Sequence, residues 1–233
     1  LSSAASDVYK RQACLSDDKH HTHFKYEGAD CFTIKAPKIG PARVIAYDMM
    51  AITYGLQMVK RYGIEHPVFY ILGNTIGTFI APFVLRIHAL GGKVYVNPDG
   101  LEWKRSKWSK PVQAYLKYAE KSMAKTVDLV ISDNIGIENY IKESYPDAKT
   151  RFIAYGTDLK KSTLTADDYK VRKCFDNWKT KENGYYLIVG RFVPENNYET
   201  VIREFMKSNT RRDLIIISNH KNSAYFDKLK PVS

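Results

Sequence analysis

Two short stretches of this 233-residue chain combine residue types and spacing that suit chemistry. In the first, the apolar run Tyr185–Val189 is followed directly by Gly190 and Arg191, and a helical pattern begins near Glu195. That predicts strand, turn and helix with a cation at the turn. In an open α/β sheet, ligands bind beyond the carboxyl ends of the strands. The free N–H groups at the start of the following helix favour phosphates. Arg191 would add a permanently charged planar fork, and Gly190 would let backbone approach a ligand closely. An ordinary turn with a surface arginine fits the same pattern.

In the second stretch, Asn97-Pro98-Asp99-Gly100-Leu101-Glu102-Trp103 follows the apolar strand pattern of residues 93–96. Two carboxylates and an indole then sit at a strand end. A carboxylate in such a place can act as a base. Asn-Pro and Asp-Gly are also strong turn dipeptides, so a turn is the plain alternative. Ser132 ends a further strand pattern, where Asp133 reads as a helix N-cap. His20, His21 and His23 read as a surface tract more readily than as metal ligands.

Strands are predicted over residues 31–35, Val68–Leu72, 93–96, 128–132, Tyr185–Val189 and Asp213–Ile217. Helices are predicted over Arg43–Tyr62, from Thr78 to residue 90, from Ser109, after Asp133, and over 166–178, 195–205 and 222–230. Residues 13–28 read as polar and irregular. The continuous apolar runs at Val68–Leu72 and Tyr185–Val189 suit strands buried on both faces. Alternating strands and helices argue for parallel sheets.

The apolar and charged fractions, 44% and 26%, are those of an ordinary globular protein. The formal net charge of +11 suits an anionic partner. Lys and Arg are spread along the chain, so no nucleic-acid arm is indicated. The densest basic patch, residues 104–110, is either a solvated loop or a lipid-headgroup contact. The three cysteines, Cys14, Cys31 and Cys174, show no paired spacing, which fits a reducing compartment. No stretch approaches the ~20 apolar residues of a membrane span.

Val189-Gly190-Arg191-Phe192-Val193-Pro194-Glu195-Asn196-Asn197-Tyr198-Glu199 resembles the V-G-R-L-x-x-x-K-N/G segment of GT-B glycosyltransferases of the large retaining family 4. The segment over residues 97–103 resembles the N-P-D-G-x-E-W signature of a rhamnosyltransferase subgroup that extends bacterial capsular and cell-wall polysaccharides. Residues 128–132 resemble A-D-x-x-I-x-x-S, and residues 150–158 resemble the I-P-N-G-V-D passage between domains. The resemblance implies an α/β fold of GT-B type, with two Rossmann-like parallel-sheet domains, both incomplete in this chain. It implies a metal-independent, retaining transfer of L-rhamnose from dTDP-L-rhamnose to a lipid-linked saccharide, with no cofactor. Gly190, Arg191 and Asn196 would hold the donor diphosphate. Asn196 stands where the family has Lys, so half of the cationic clamp is absent. Asp99, Gly100, Glu102, Trp103 and Ser132 would face the acceptor and cleft, in binding rather than proton transfer. Gly156, with positive φ, and Asp158 would form the hinge. The implied location is cytoplasmic, peripheral at the inner face of an anionic cell membrane, with no nucleic acid bound.

Residues 7–12 resemble the translation of a sequencing-adapter end, which predicts a disordered tail over residues 1–12. The expected organisation is an N-terminal domain over 13–158 lacking its first strand, a linker and helix over 159–184, and the start of a C-terminal domain over 185–233. On this reading the chain is an inactive fragment of a hexosyltransferase. The open alternatives are a GT-B transferase using another nucleotide sugar, a basic non-enzymatic module binding nucleic acid or anionic lipid, and a single-sheet flavodoxin-like regulatory domain.

Overall fold

The computed structural model describes residues 10–18, 22–156, 161–219 and 224–229. The fold is mixed α/β, and the chain divides into two compact units, Leu1–Tyr155 and Gly156–Ser233.

The first unit opens with strands β1 (Lys10–Leu15), β2 (His23–Tyr26) and β3 (Ala29–Ile34), in the order β1-β3-β2. β1 runs parallel to β3 with Gln12 opposite Cys31, and β2 runs antiparallel to β3. Residues 10–12, expected within a disordered tail, instead form the first half of β1. Residues 23–26, expected to be irregular, are a strand. The β2–β3 hairpin turns on Glu27 and Gly28, both at positive φ. Two-residue hairpin turns of that kind favour Asn-Gly or Asp-Gly, so Glu-Gly is a weak sequence signal.

Helix α1 (Arg43–Tyr62) follows as expected from its apolar spacing. It ends at Gly63, whose left-handed conformation lets its N–H reach the Val59 carbonyl. The helix packs on three strands. The Tyr47 hydroxyl donates to the Ala13 carbonyl at 2.8 Å, and the Tyr54 ring lies 4.7 Å from that of Phe32. The Phe69 ring presses against Gly55 so closely that a β-carbon there would sit 2.8 Å from it.

Then come β4 (Val68–Leu72), α2 (Ala81–His88), β5 (Lys93–Asn97), α3 (Lys110–Thr126), β6 (Leu129–Ser132), α4 (Ile135–Ser144) and β7 (Thr150–Phe152). The four strands form a parallel sheet in the order β4-β5-β6-β7. The order follows the chain, as short strand–helix–strand connections favour. Val94, Val96 and Val130 from the central strands pack with Ile80, Phe83 and Ile87 of the α2 region and Met123 of α3. Full burial of such side chains is worth roughly 1.5–3 kcal/mol each.

The expectation that β4 is buried on both faces does not hold. Val68, Tyr70 and Leu72 are half exposed or more, because β4 is an edge strand whose outer face has no described element over it. Two caps also differ. Thr78 makes no cap, since a 3-10 turn over Gly77–Phe79 leads into α2. Asn134, not Asp133, is the N-cap of α4, with its side chain accepting from the Gly136 N–H at 2.7 Å. Ser109 stands at the N-cap of α3 as expected, but its hydroxyl makes no capping bond.

The second unit holds α5 (Tyr169–Trp178), β8 (Tyr185–Val189), α6 (Tyr198–Lys207), β9 (Asp213–Ile217) and α7 (Ala224–Leu229). β8 and β9 pair in parallel. Phe192, Tyr198, Ile202 and Leu229 form its small core, with Phe192 and Tyr198 stacked at 4.5 Å. β8 is not buried as expected: Tyr186, Leu187 and Val189 are exposed, because a two-stranded sheet cannot cover both faces.

Candidate functional site

The carboxyl edge of the four-stranded sheet gathers residues from the ends of β5, β6 and β7. Asn97 ends β5 and is 2% exposed. Its backbone carbonyl accepts from the Gly73 N–H at the end of β4, at 2.7 Å. Its side-chain carbonyl accepts from the Asp99 N–H at 2.9 Å, and its side-chain amide donates to the Tyr155 hydroxyl at 3.0 Å. Through its backbone carbonyl and its side chain together, Asn97 thus ties three strand ends, as a buried polar group must find partners. Asp99 and Gly100 both take positive φ, so the Asp-Gly turn forms and leaves the Asp99 carboxylate exposed.

Glu102 and Trp103 follow in a 3-10 turn, and both are engaged within the protein. The Glu102 carboxylate pairs with Lys107 at 2.7 Å and Arg105 at 2.9 Å, and accepts from the Trp108 indole N–H at 2.9 Å. Partial burial works to raise its pKa, but these three donors together outweigh it and hold the carboxyl below its ordinary range. The Trp103 ring lies under two ammonium groups, Lys117 at 4.6 Å and Lys104 at 5.2 Å. Its indole N–H is buried without a hydrogen-bond partner among the described residues.

Lys117 belongs to a cluster that the sequence did not reveal. It pairs with Glu120, 2% exposed, at 3.1 Å, donates to the Tyr140 hydroxyl, and faces the Tyr140 and Tyr145 rings. Glu120 also accepts from Tyr140 at 2.6 Å and Tyr145 at 2.7 Å. Burial and the Glu120 carboxylate both push the Tyr145 phenol well up. The i, i+3 spacing of Lys117 and Glu120 signals a helix-surface ion pair, whereas the burial of Glu120 arises only when α3 meets α4.

Ser132 ends β6 as expected, but it is completely buried, and its hydroxyl has no partner among the described residues. Tyr155, absent from the sequence-derived site, stands at the same edge and is 70% exposed. Its phenol is pushed up by desolvation and by the Asp133, Tyr70 and Asp99 charges, against the favourable Asn97 bond. Gly156 does not adopt the positive φ expected of a hinge glycine. Asp158, His20 and His21 lie outside the described residues, and His23 is exposed on β2.

In the second unit, Gly190 and Arg191 follow β8 at the strand-to-helix corner. The Gly190 N–H donates to the Ile217 carbonyl at 3.1 Å. A β-carbon on Gly190 would lie 3.1 Å from the Tyr198 hydroxyl, which is itself buried and unpartnered among the described residues. The Arg191 side chain is exposed, without an ion pair among the described residues. The Asn196 amide donates to the Arg191 carbonyl at 2.7 Å, so Asn196 closes the loop that carries the cation. Asn197 precedes α6 in a left-handed conformation and gives no side-chain cap. Glu199, in the first turn, is neutralised by Arg203 at 3.0 Å and Lys228 at 3.3 Å. The corner therefore offers an exposed guanidinium to an anion, while the Gly190, Asn196, Asn197 and Glu199 N–H groups already donate within the unit.

No curated protein matches the chain. Residues 2–158 match the family described as a domain of unknown function, DUF1972, and the match includes most of the segment read as an adapter-derived tail. That match spans well over half of the chain and takes in the whole carboxyl edge built around Asn97. By that match, the chain belongs to the DUF1972 family.

Proposed function

We propose that the chain is part of a glycosyltransferase of GT-B type. In this reading the second unit takes the diphosphate of a nucleotide sugar, and the carboxyl edge of the first unit faces an acceptor saccharide. DUF1972 domains are found in glycosyltransferase-associated proteins. The observation that carries the reading is Arg191: an exposed guanidinium without an ion pair among the described residues, beside Gly190 and ahead of α6, whose N-cap residue Asn197 makes no side-chain cap. A departing diphosphate develops charge that fixed donors of this kind stabilise.

The finer reading is transfer of L-rhamnose from dTDP-L-rhamnose to a lipid-linked saccharide, in extension of a capsular or cell-wall polysaccharide. It follows from the residue 97–103 and 189–199 signatures. Lys104, Lys107 and Lys110 would support peripheral contact with an anionic membrane. No described helix is long and apolar enough to cross a membrane.

The test is calorimetric titration of the chain with thymidine diphosphate. Arg191→Ala is expected to weaken binding by about tenfold or more, as loss of a charge-assisted contact does. Unchanged affinity in a folded variant would remove Arg191 from the diphosphate site. Titration with uridine and guanosine diphosphates then tests the choice of nucleotide.

A further inference from the structure

We infer that Tyr155 is the aromatic platform of a subsite for an uncharged saccharide at the carboxyl edge of the four-stranded sheet. Asp99 and Asp133 flank it and accept hydrogen bonds from sugar hydroxyls. The inference rests on the glycosyltransferase reading and assigns the sugar-stacking role to a residue outside the signature over residues 97–103.

A pyranose stacks its C–H face on an aromatic ring that is both accessible and already held in place. An exposed side chain that rotates freely gives up rotamer entropy on binding, which weakens the complex. Tyr155 meets both conditions. The residue is 70% exposed, and its hydroxyl is bound by the buried Asn97 amide at 3.0 Å. β6 lies between β5 and β7, so this bond reaches across the end of β6, where Asp133 follows Ser132. The same Asn97 side chain fixes the backbone of Asp99. One buried residue thereby fixes the Tyr155 ring and the Asp99 turn, and the sheet order brings Asp133 to the end of the strand between them.

Trp103, the other aromatic near this edge, is differently placed. Two ammonium groups lie over its ring, and its N–H is buried in the packing of α3. Glu102 is occupied by two cations and an indole. Asp99 and Asp133 have no ion pair among the described residues, so their lone pairs remain for a ligand. Their charge also decides the ligand class. Two carboxylates repel a diphosphate or a uronate, and they favour a neutral polyol that donates hydroxyl hydrogens.

The experiment is an amide-resolved NMR titration of the 233-residue chain with methyl α-L-rhamnopyranoside and methyl β-D-glucopyranoside at millimolar concentrations. At least one glycoside is expected to shift the amides of Asp99, Asp133 and Tyr155. Tyr155→Ala weakens that binding by about tenfold, and Tyr155→Phe, which keeps the ring but loses the Asn97 anchor, by about threefold. The paired change Asp99→Asn and Asp133→Asn weakens it without moving the Tyr155 ring. Wild-type affinity in folded Tyr155→Ala overturns the assignment, as does a shift pattern centred on Trp103. If neither glycoside binds the wild-type chain, the subsite is absent. Thymidine diphosphate binding that depends on Arg191 would then leave the transferase reading intact, whereas loss of both would end both.

Discussion

The buried carboxylate of Glu120 accepts a hydrogen bond from the Tyr145 hydroxyl at 2.7 Å, and so joins α3 to the residue that ends α4. Lys117 and Tyr140 converge on the same carboxylate, and Lys117 in turn carries the Trp103 ring. The loop bearing Asp99 is therefore seated on the seam between two helices.

That relationship predicts a graded loss. Glu120→Ala strands a partly buried ammonium and two phenols, and should destabilise the chain by roughly 3–5 kcal/mol. Glu120→Gln keeps an acceptor and should lose less. Urea unfolding monitored by tryptophan fluorescence measures both, and a loss under ~1 kcal/mol in the alanine variant would mean that the cluster does not hold the seam.

Gly77 is predicted to be intolerant of any side chain. A β-carbon there would lie 2.0 Å from the Ala119 carbonyl oxygen in α3, and backbone cannot step aside cheaply. The Ser122 hydroxyl also donates to the Gly77 carbonyl at 2.7 Å, which locks the approach. Gly77→Ala should cost about 3 kcal/mol by overpacking. Gly156→Ala, where nothing lies within 4 Å and φ is not positive, should be neutral within about 0.5 kcal/mol. Equal melting temperatures for the two variants would contradict this.

Asp48 on α1 gives a pH-dependent prediction. Burial raises its pKa from 3.8 to about 7. The folded pKa lies above the unfolded one, so the native state binds more protons between those values. The contribution to stability is fully present below about pH 4 and is lost as pH rises through about 7. Asp48→Asn removes the burial of charge and should raise the melting temperature at pH 8, by an amount on the order of a few kcal/mol in stability. At pH 4 the two proteins should melt together. A wild-type advantage at pH 8 would show that the carboxylate has an ionic partner.

Much of the fold was legible because single elements obey local rules. Arg43–Tyr62, Val68–Leu72, Tyr185–Val189 and Asp213–Ile217 stand where apolar spacing and turn residues put them. β1 and β2 carried a weak signal because both are short and half of their residues are polar, and their pairing with β3 is a contact between segments, not a property of either. The exposure of β4 and β8 had the same origin. An apolar strand reads as buried until its neighbours in the sheet are counted.

For the candidate site, local pattern in the chain was enough to place the chemistry-bearing residues at strand ends: Asp99, Glu102 and Trp103 after β5, Ser132 at the end of β6, and Arg191 after β8. Strand ends follow from local pattern, and local pattern is written in the chain. Only the tertiary structure decided which of those groups remain available. It drew Glu102 and Trp103 into contacts with Lys107, Arg105 and Lys117, buried Ser132, and brought Tyr155 to Asn97 across 58 residues. Availability depends on what distant segments bring to the same place, and a carboxylate or ring cannot serve a ligand while a neighbouring cation holds it.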